Sequence, residues 1–464
     1  MEGNGLVYNP GEKIEGYTNF LWTIITAPFT KLNFADVAIF STILCFIISL
    51  LNVYLLMLIG GMFYDNSGEY SKFIILIPPL LFVLDGTIAF WVIAGMELPM
   101  FTLFILGVFY NYFRIYDNSR YVNYMILFLI LATLTRPEGN MIFALTILHM
   151  IIFSNRIDNF RFVVLKVIIF YFIFCLIYYG FKYFYYGQIL PNTFYAKGVT
   201  DLGMNLILGT KYIIMCSGIR FYILIFIFFI PFKQVMNNFR LSYLILFSAV
   251  YVIYIVLVGG DWMYANRFFV PVIPALYLLS AIGMYYFIIK LKNYFTSNPG
   301  FNLQRFNLGV DVFIISLCII LVFVSFIRLE YKTLIIHDDN ARFEKQWQRF
   351  GEWLNIYCDP RTVIAVGPAG KIPYYSGLYS IDMWGLNHEY IARTKSKRLQ
   401  AGHKKYDFEY ILSQNPEFII GYAGFTNDEV PDRYVKFNPD DEYYKCMDIV
   451  FRLKKEYRTY NKDN

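Results

Sequence analysis

Charge is scarce in this sequence. Of its 464 residues, 16% are Asp, Glu, Lys or Arg, against roughly 25% in soluble domains. Histidine is scarcer still: His149, His337, His388 and His403 are scattered, without the HxxxH spacing that sets two ligands on one helix face. Six cysteines include no CxxC pair. These absences exclude the usual zinc motifs; no cofactor is expected, and metal dependence is left open by the sequence. There is no glycine-rich phosphate loop, internal repeat, low-complexity tract or leading signal peptide. The formal charge of +6 is too modest for a nucleic-acid surface, so no nucleic-acid partner is expected.

Apolar residues take the vacated share. They make up 58% of the chain, with 20% aromatic, and mean hydropathy is +0.47. They gather into runs of nearly spanning length. Ten are predicted, at 34–58, 72–94, 98–113, 122–136, 138–154, 162–184, 218–232, 241–258, 268–290 and 309–328. The fold expected is an α-helical polytopic membrane protein. The runs meeting at Arg136 and Glu138 are short, and read as a broken or re-entrant pair that lines a cavity. Cys45, Cys175, Cys216 and Cys318 fall in or beside apolar runs and read as small buried hydrophobes.

Orientation follows from the connections. One alternating set carries Arg114 and Arg120, Arg156 and Arg161, Lys233 and Arg240, then Lys290, Lys292 and Arg305. The positive-inside rule makes this set cytoplasmic. Residues 1–33 and 330–464 then lie outside, flanking a membrane domain at 34–329 in the cell inner (plasma) membrane. With no apolar segment ahead of residues 1–33, a further helix before Met1 is expected in the natural chain. The tail, 330–464, reads as a small extracytoplasmic α/β domain. Its expected elements are a helix at 338–358, a buried strand at 362–367, a strand at 379–383, a helix at 407–414 and a strand at 417–421. Cys358 and Cys446 both fall there and could pair in an oxidising space.

Polar residues concentrate on the predicted outer side. GMELP (95–99), LTRPEG (134–139), GQILPNTFYAK (187–197) and GGDWM (259–263) with Arg267 each stand between apolar runs. Ionisable groups at membrane depth cost about 2.5–3.5 kcal/mol on insertion scales, so they tend to line cavities. Each cluster has two readings. Arg136 with Glu138 is either an interfacial ion pair or an arginine whose donor fork suits a lipid-linked phosphate. Asp261 with Arg267 divides the same way. Glu97 either favours a helix dipole or lines the cavity. Lys197 is a loop charge or a phosphate contact, and Asp85 a helix break or a pore-facing acid. Trp22, Trp91 and Trp262 read as interfacial belt residues. In the tail, Asp382, Trp384, Asn387 and His388 (IDMWGLNH) mix aromatic and hydrogen-bonding groups, as a sugar site or a packed loop would.

These stretches carry a resemblance. GLVYNPGEKIEGYTNFLWT (5–23), GMELPMF (95–101), LTRPEG (134–139), LPNTFYAK (190–197), GGDWMYANRFFVPVIP (259–274), PYYSGLYSIDMWGLNHEYIAR (373–393) and GHKK (402–405) occur in order. Together they resemble the bacterial membrane glycosyltransferases of the GT-C fold, above all relatives of the mycobacterial terminal β-(1→2)-arabinofuranosyltransferase. The resemblance implies transfer of a sugar, with inversion, from a polyprenyl-phosphate donor to a cell-envelope glycan acceptor outside the membrane. It also implies an acidic base in a motif that would lie before Met1. Weak candidates for a catalytic acid within the chain are Glu15, Glu97 and Asp261. Arg136, Arg267 and Lys197 are candidates for the donor phosphate, and Asp382, Trp384 and His388 for the acceptor. The composition, rich in Ile, Phe, Tyr, Asn and Lys, is unlike that of mycobacteria, so arabinose is not carried over. Two other classes remain: a lipid-linked sugar flippase or transporter, and a glycan-binding assembly partner without activity.

Overall fold

The computed structural model describes residues 4–30, 37–63, 72–115, 117–153, 159–197, 202–218, 220–261, 263, 265–296, parts of 304–323, 334–395, 405–421, 430–437 and 450–454. In chain order the helices begin with α1 (Phe20–Thr26), α2 (Val37–Gly61), α3 (Lys72–Leu84), α4 (Gly86–Ile93), α5 (Leu98–Arg114), α6 (Tyr121–Thr135) and α7 (Gly139–Ile152). There follow α8 (Phe160–Tyr186), α9 (Asn192–Lys197), α10 (Leu202–Gly218), α11 (Phe221–Leu224), α12 (Phe232–Asn237), α13 (Phe239–Val258) and α14 (Ile273–Thr296). The C-terminal part runs α15 (Leu334–Tyr357), β1 (Val363–Val366), α16 (Lys371–Ser376), β2 (Tyr379–Asp382), α17 (Glu389–Arg393), α18 (Phe408–Ser413), β3 (Phe418–Ile420), β4 (Tyr434–Lys436) and β5 (Val450–Leu453). Contacts divide the chain into a helical unit, 19–178 with 201–330, and a mixed unit, 1–18 with 179–200 and 331–464. The hydropathy boundaries at 33/34 and 329/330 cut differently, because hydropathy cannot register that segments 1–18 and 179–200 pack with the tail.

Among the described residues, four helices are long and apolar enough to cross a membrane: α2, α8, α13 and the continuous Arg267–Thr296, a 3₁₀ turn running into α14. Two bent pairs would raise the number to six, against the ten runs predicted. The first pair is α3 and α4, bent by 57°. Pro78 and Pro79 deprive α3 of backbone donors, and Asp85 starts α4 by accepting the Thr87 N–H at 2.8 Å. Asp85 is therefore a helix break. In the second pair α10 precedes α11 and the 3₁₀ turn at 225–229, so the run at 218–232 is a bent second limb. Asn205, Gly209 and Lys211 dilute α10's apolar character, which hid it from a hydropathy reading. The run at 309–328 lies largely outside the described residues.

Helix α5 is apolar all round and nearly every residue of it is buried, as a central helix requires. Rings from three elements meet there: Phe109 and Tyr112 of α5 pack edge-on against Tyr243 of α13, and His149 of α7 joins them. Gly283 of α14 admits the backbone of the 3₁₀ turn at 225–229, for a Cβ there would stand 2.0 Å from the Phe226 carbonyl. Trp22 and Trp91 are buried in this core rather than placed as belt residues. The Trp91 indole N–H donates to the Ala265 carbonyl at 2.8 Å; Trp262 lies outside the described residues. Cys45 and Cys216 are core residues, as expected.

In the mixed unit five strands form a sheet in the order β2-β1-β3-β5-β4. β1 runs parallel to β2 and β3, while β5 is antiparallel to β3 and β4. Strand alternation fills two cores. Ile364, Val366, Phe418 and Ile420 face α15 and α16, through Phe350, Leu354 and Ile372. Ala365, Ile381 and Ile419 pack with Ile391 and Ile411, of α17 and α18. The elements expected at 338–358, 362–367, 379–383, 407–414 and 417–421 are present within a few residues; β4, β5, α16 and α17 were not foreseen. Cys358 is buried beside this sheet, and Cys446 lies outside the described residues.

Candidate functional site

The helical unit has two unlike ends. At one, Arg240 at the start of α13 donates from Nη1 to the Met62 carbonyl after α2 (2.9 Å) and from Nη2 to Phe113 at the end of α5 (3.4 Å). Nearby elements are tied by His149, whose ring nitrogens meet the Tyr112 and Ser242 hydroxyls at 2.7 and 2.8 Å. Arg114, in the last turn of α5, lies at this end too. At the other, Thr42 Oγ1 and Cys45 Sγ of α2 donate to the carbonyls of Ile93 and Met96. GMELP, LTRPEG and the 259–267 loop are collected here.

Arg136 organises that second end. It ends α6 in an extended conformation and is buried. Its Nη1 reaches Glu97 Oε1 at 2.7 Å, and its Nη2 reaches Glu138 Oε1 at 2.7 Å. Asn19 donates to the second oxygen of Glu97 at 3.2 Å. Glu97 sits at the first turn of α5 but makes no side-chain cap, so its role is the ion pair. Arg267 forms a fork with Asp261, Nε to Oδ2 at 2.8 Å and Nη2 to Oδ1 at 3.0 Å. The Phe268 ring connects the two clusters: the Arg136 guanidinium lies 5.6 Å from its centroid and that of Arg267 5.3 Å. Two arginines 131 positions apart therefore share one aromatic ring, together with three acids.

A third cluster escaped the sequence reading. Arg220 binds both oxygens of Asp85, at 2.8 and 2.9 Å, and Tyr277 donates to the same carboxylate. Arg220 had only the signal of a lone charge opening an apolar run. Lys182 was also missed, being a lone charge in the aromatic end of α8.

Glu15, Lys197, Asp382, Trp384 and His388 belong to the mixed unit. There the N-terminal segment binds the edge strand β2. The Asn9 amide donates to the Ser380 carbonyl and accepts the Ser380 N–H, both at 3.0 Å, as a neighbouring strand would. Tyr379 donates to Glu12. Asn192, which opens α9, donates from its side chain to the carbonyls of Gly385 and Leu386, and from its backbone to the Glu15 carbonyl at 2.9 Å. Three of the stretches that carry the resemblance thus knit together here.

Asp382 is buried and accepts from the N–H groups of Trp384 (3.0 Å) and Asn387 (2.8 Å) and from the Asn387 amide (3.0 Å). Those bonds shape the 382–387 turn and lower its pKa, yet burial outweighs them and raises it above the usual carboxylate range. His388 caps α17, its Nδ1 accepting the Ile391 N–H at 3.5 Å, and burial lowers its pKa. The Trp384 side chain is half-buried against the core of Ala365, Ile381 and Ile419. Lys197 stands exposed at the end of α9.

Glu15 is buried and pairs with Lys182 at 3.0 Å through Oε1. Burial raises its pKa, and the neighbouring ammonium opposes the rise. A small cleft with about 20 Å³ of free room opens beside it, lined by Lys13, Glu15, Tyr186, Gln188, Asn192 and Glu389 among others. Among the described residues no three His, Cys, Asp or Glu side chains come together as a metal cage would need.

No curated protein matches the chain. Residues 336–460, most of the C-terminal part, match a family model described as a domain of unknown function (DUF8728).

Proposed function

We infer that this is a multi-span membrane glycosyltransferase of GT-C type, moving a sugar from a polyprenyl-phosphate donor to a cell-envelope glycan on the extracytoplasmic side. One observation carries the reading. Loops from three parts of the helical unit bring Glu97, Arg136, Glu138, Asp261 and Arg267 to a single end, and Arg114 and Arg240 of the basic connections stand at the other. Basic connections mark the cytoplasmic face, so the cluster faces outward, where the resemblance expects chemistry.

The reaction needs little of the protein. The acceptor hydroxyl oxygen attacks the anomeric carbon from the face opposite the phosphate. The carbon–oxygen bond to the phosphate breaks with its electron pair, and the hydroxyl proton passes to a carboxylate base, a role worth about 10²–10⁴-fold. Cations near the departing phosphate stabilise the growing charge. Arg267, held by one acid, is the better placed of the two arginines; Arg136 is divided between two carboxylates and positions the site. Glu15, Glu97 and Asp261 are each held by a cation, so none is assigned the base's role.

The test is transfer by the purified protein in lipid nanodiscs, with radiolabelled polyprenyl-phosphate sugars and envelope glycan fragments. Transfer that falls about 10²-fold in Arg267→Ala supports the reading. Lipid movement across vesicles without transfer would replace it with a flippase, and an unaffected Arg267→Ala would end the phosphate assignment.

A further inference from the structure

The cleft beside Glu15 carries more than the resemblance does. Its two most buried polar linings each leave an oxygen without a partner among the described residues. Glu15 is 4% exposed and Asn192 5%; the unpartnered atoms are Glu15 Oε2 and Asn192 Oδ1. Each side chain is nonetheless fixed. Lys182 holds the other Glu15 oxygen, and two carbonyls hold the Asn192 amide. An unmet buried acceptor costs about 1–3 kcal/mol, so two of them on side chains that line one cleft are a preference for something that donates.

We propose that this cleft is a subsite for the hydroxyl groups of a neutral glycan, with Glu15 and Asn192 as its paired acceptors. Anions are the wrong match, since both open atoms are oxygens that only accept. A cation is the wrong match too, because the Lys182 ammonium already neutralises Glu15 and Lys13 lines the same cleft. A sugar hydroxyl donates without bringing charge. Gln188 and Tyr186 supply further polar edges, with Gln188 Nε2 braced on Glu389 at 2.9 Å. The free room of the cleft, about 20 Å³, takes a single hydroxyl-sized group and is far below the roughly 300–1,000 Å³ of pockets that enclose a whole drug-sized ligand, so it grips one edge of a glycan. If sugar transfer is the activity, this is where the acceptor chain is held. That role rests on the transfer reading, but the binding does not.

Binding is measured without donor lipid. The full-length protein in nanodiscs is titrated with defined neutral di- and trisaccharides of hexoses and pentoses, followed by saturation-transfer NMR and calorimetry, with glucuronate and inorganic phosphate as charged probes. At least one neutral saccharide binds, and neither charged probe does. The double variant Glu15→Met/Lys182→Met removes the acceptor without stranding a buried charge, and weakens that saccharide by roughly tenfold. Gln188→Ala, a partly exposed lining residue, weakens it by about two- to fivefold. The proposal is overturned if no neutral saccharide binds the parent protein, if both variants bind as the parent does, or if a charged probe binds in competition. Saccharide binding without transfer would keep the subsite and end the transferase reading. Transfer with an unchanged acceptor KM in both variants would do the reverse.

Discussion

Buried charge is handled differently in the two units. In the helical unit every buried acid described above is answered on both oxygens or gripped by a fork. Asp85 takes four donors, from Thr87, Arg220 and Tyr277. Glu97 takes Arg136 and Asn19, and Asp261 takes both arms of Arg267. In the mixed unit Glu15 is buried as deeply but answered on one side only. The lesson concerns surroundings. Around an apolar helix there is no water to complete a half-made network, so a charge survives only when its partners saturate it. Where the chain folds beside a polar cleft, an acid can keep one oxygen without a partner.

The largest test of that contrast is Arg136→Gln. It strands Glu97 and Glu138 together and is expected to cost about 3–5 kcal/mol in detergent unfolding. The neutral triple variant Glu97→Gln/Arg136→Gln/Glu138→Gln should recover a good part of the loss. Parent-like stability in Arg136→Gln would break the comparison outright. Next is Gly283→Ala, whose added methyl meets backbone rather than a yielding side chain; a loss of about 1–3 kcal/mol is expected in the same measurement.

Third is a pH effect in the mixed unit. Burial holds the folded His388 below the unfolded value of about 6.5, so the unfolded chain takes the proton first. Its contribution is full above that value and is lost as pH falls toward the folded one. Glu12 and Glu389 oppose the shift; Asp382 and Glu15, both raised, act in the opposite sense. The check is therefore a difference. His388→Asn keeps a helix cap but does not titrate, and should remove the acid-side loss of hydrogen-exchange protection in residues 389–393, worth up to about 1 kcal/mol. An identical pH profile in the variant would refute it. Smallest is Arg361→Ala, which breaks the exposed pair with Asp359. Its unfolding midpoint should stay within about 0.5 kcal/mol of the parent, in sharp contrast to Arg136→Gln.

Much of the fold could be read from the residues. The boundaries of α2, α8 and α13 and strands β1, β2 and β3 follow from hydropathy and alternation, and the break at Asp85 was one of two readings. The pairings of Arg136 with Glu138 and of Asp261 with Arg267 were also foreseen as one of two readings, because each pair is close in sequence. The partners of Asp85 and Glu15 were not, for Arg220 and Lys182 lie far along the chain and each looks like a stray charge. α10 was lost because the buried Asn205 and Gly209 and the exposed Lys211 all lower its hydropathy.

What the sequence determined alone is which segments are apolar enough to leave water, since that depends on the local free energy of transfer. Which distant charges meet, that Phe268 serves two arginines, and that Asn9 completes the edge of β2 were decided by the tertiary structure. Those are contacts between residues far apart in the chain, and only packing brings them within the few ångströms over which hydrogen bonds and ion pairs act.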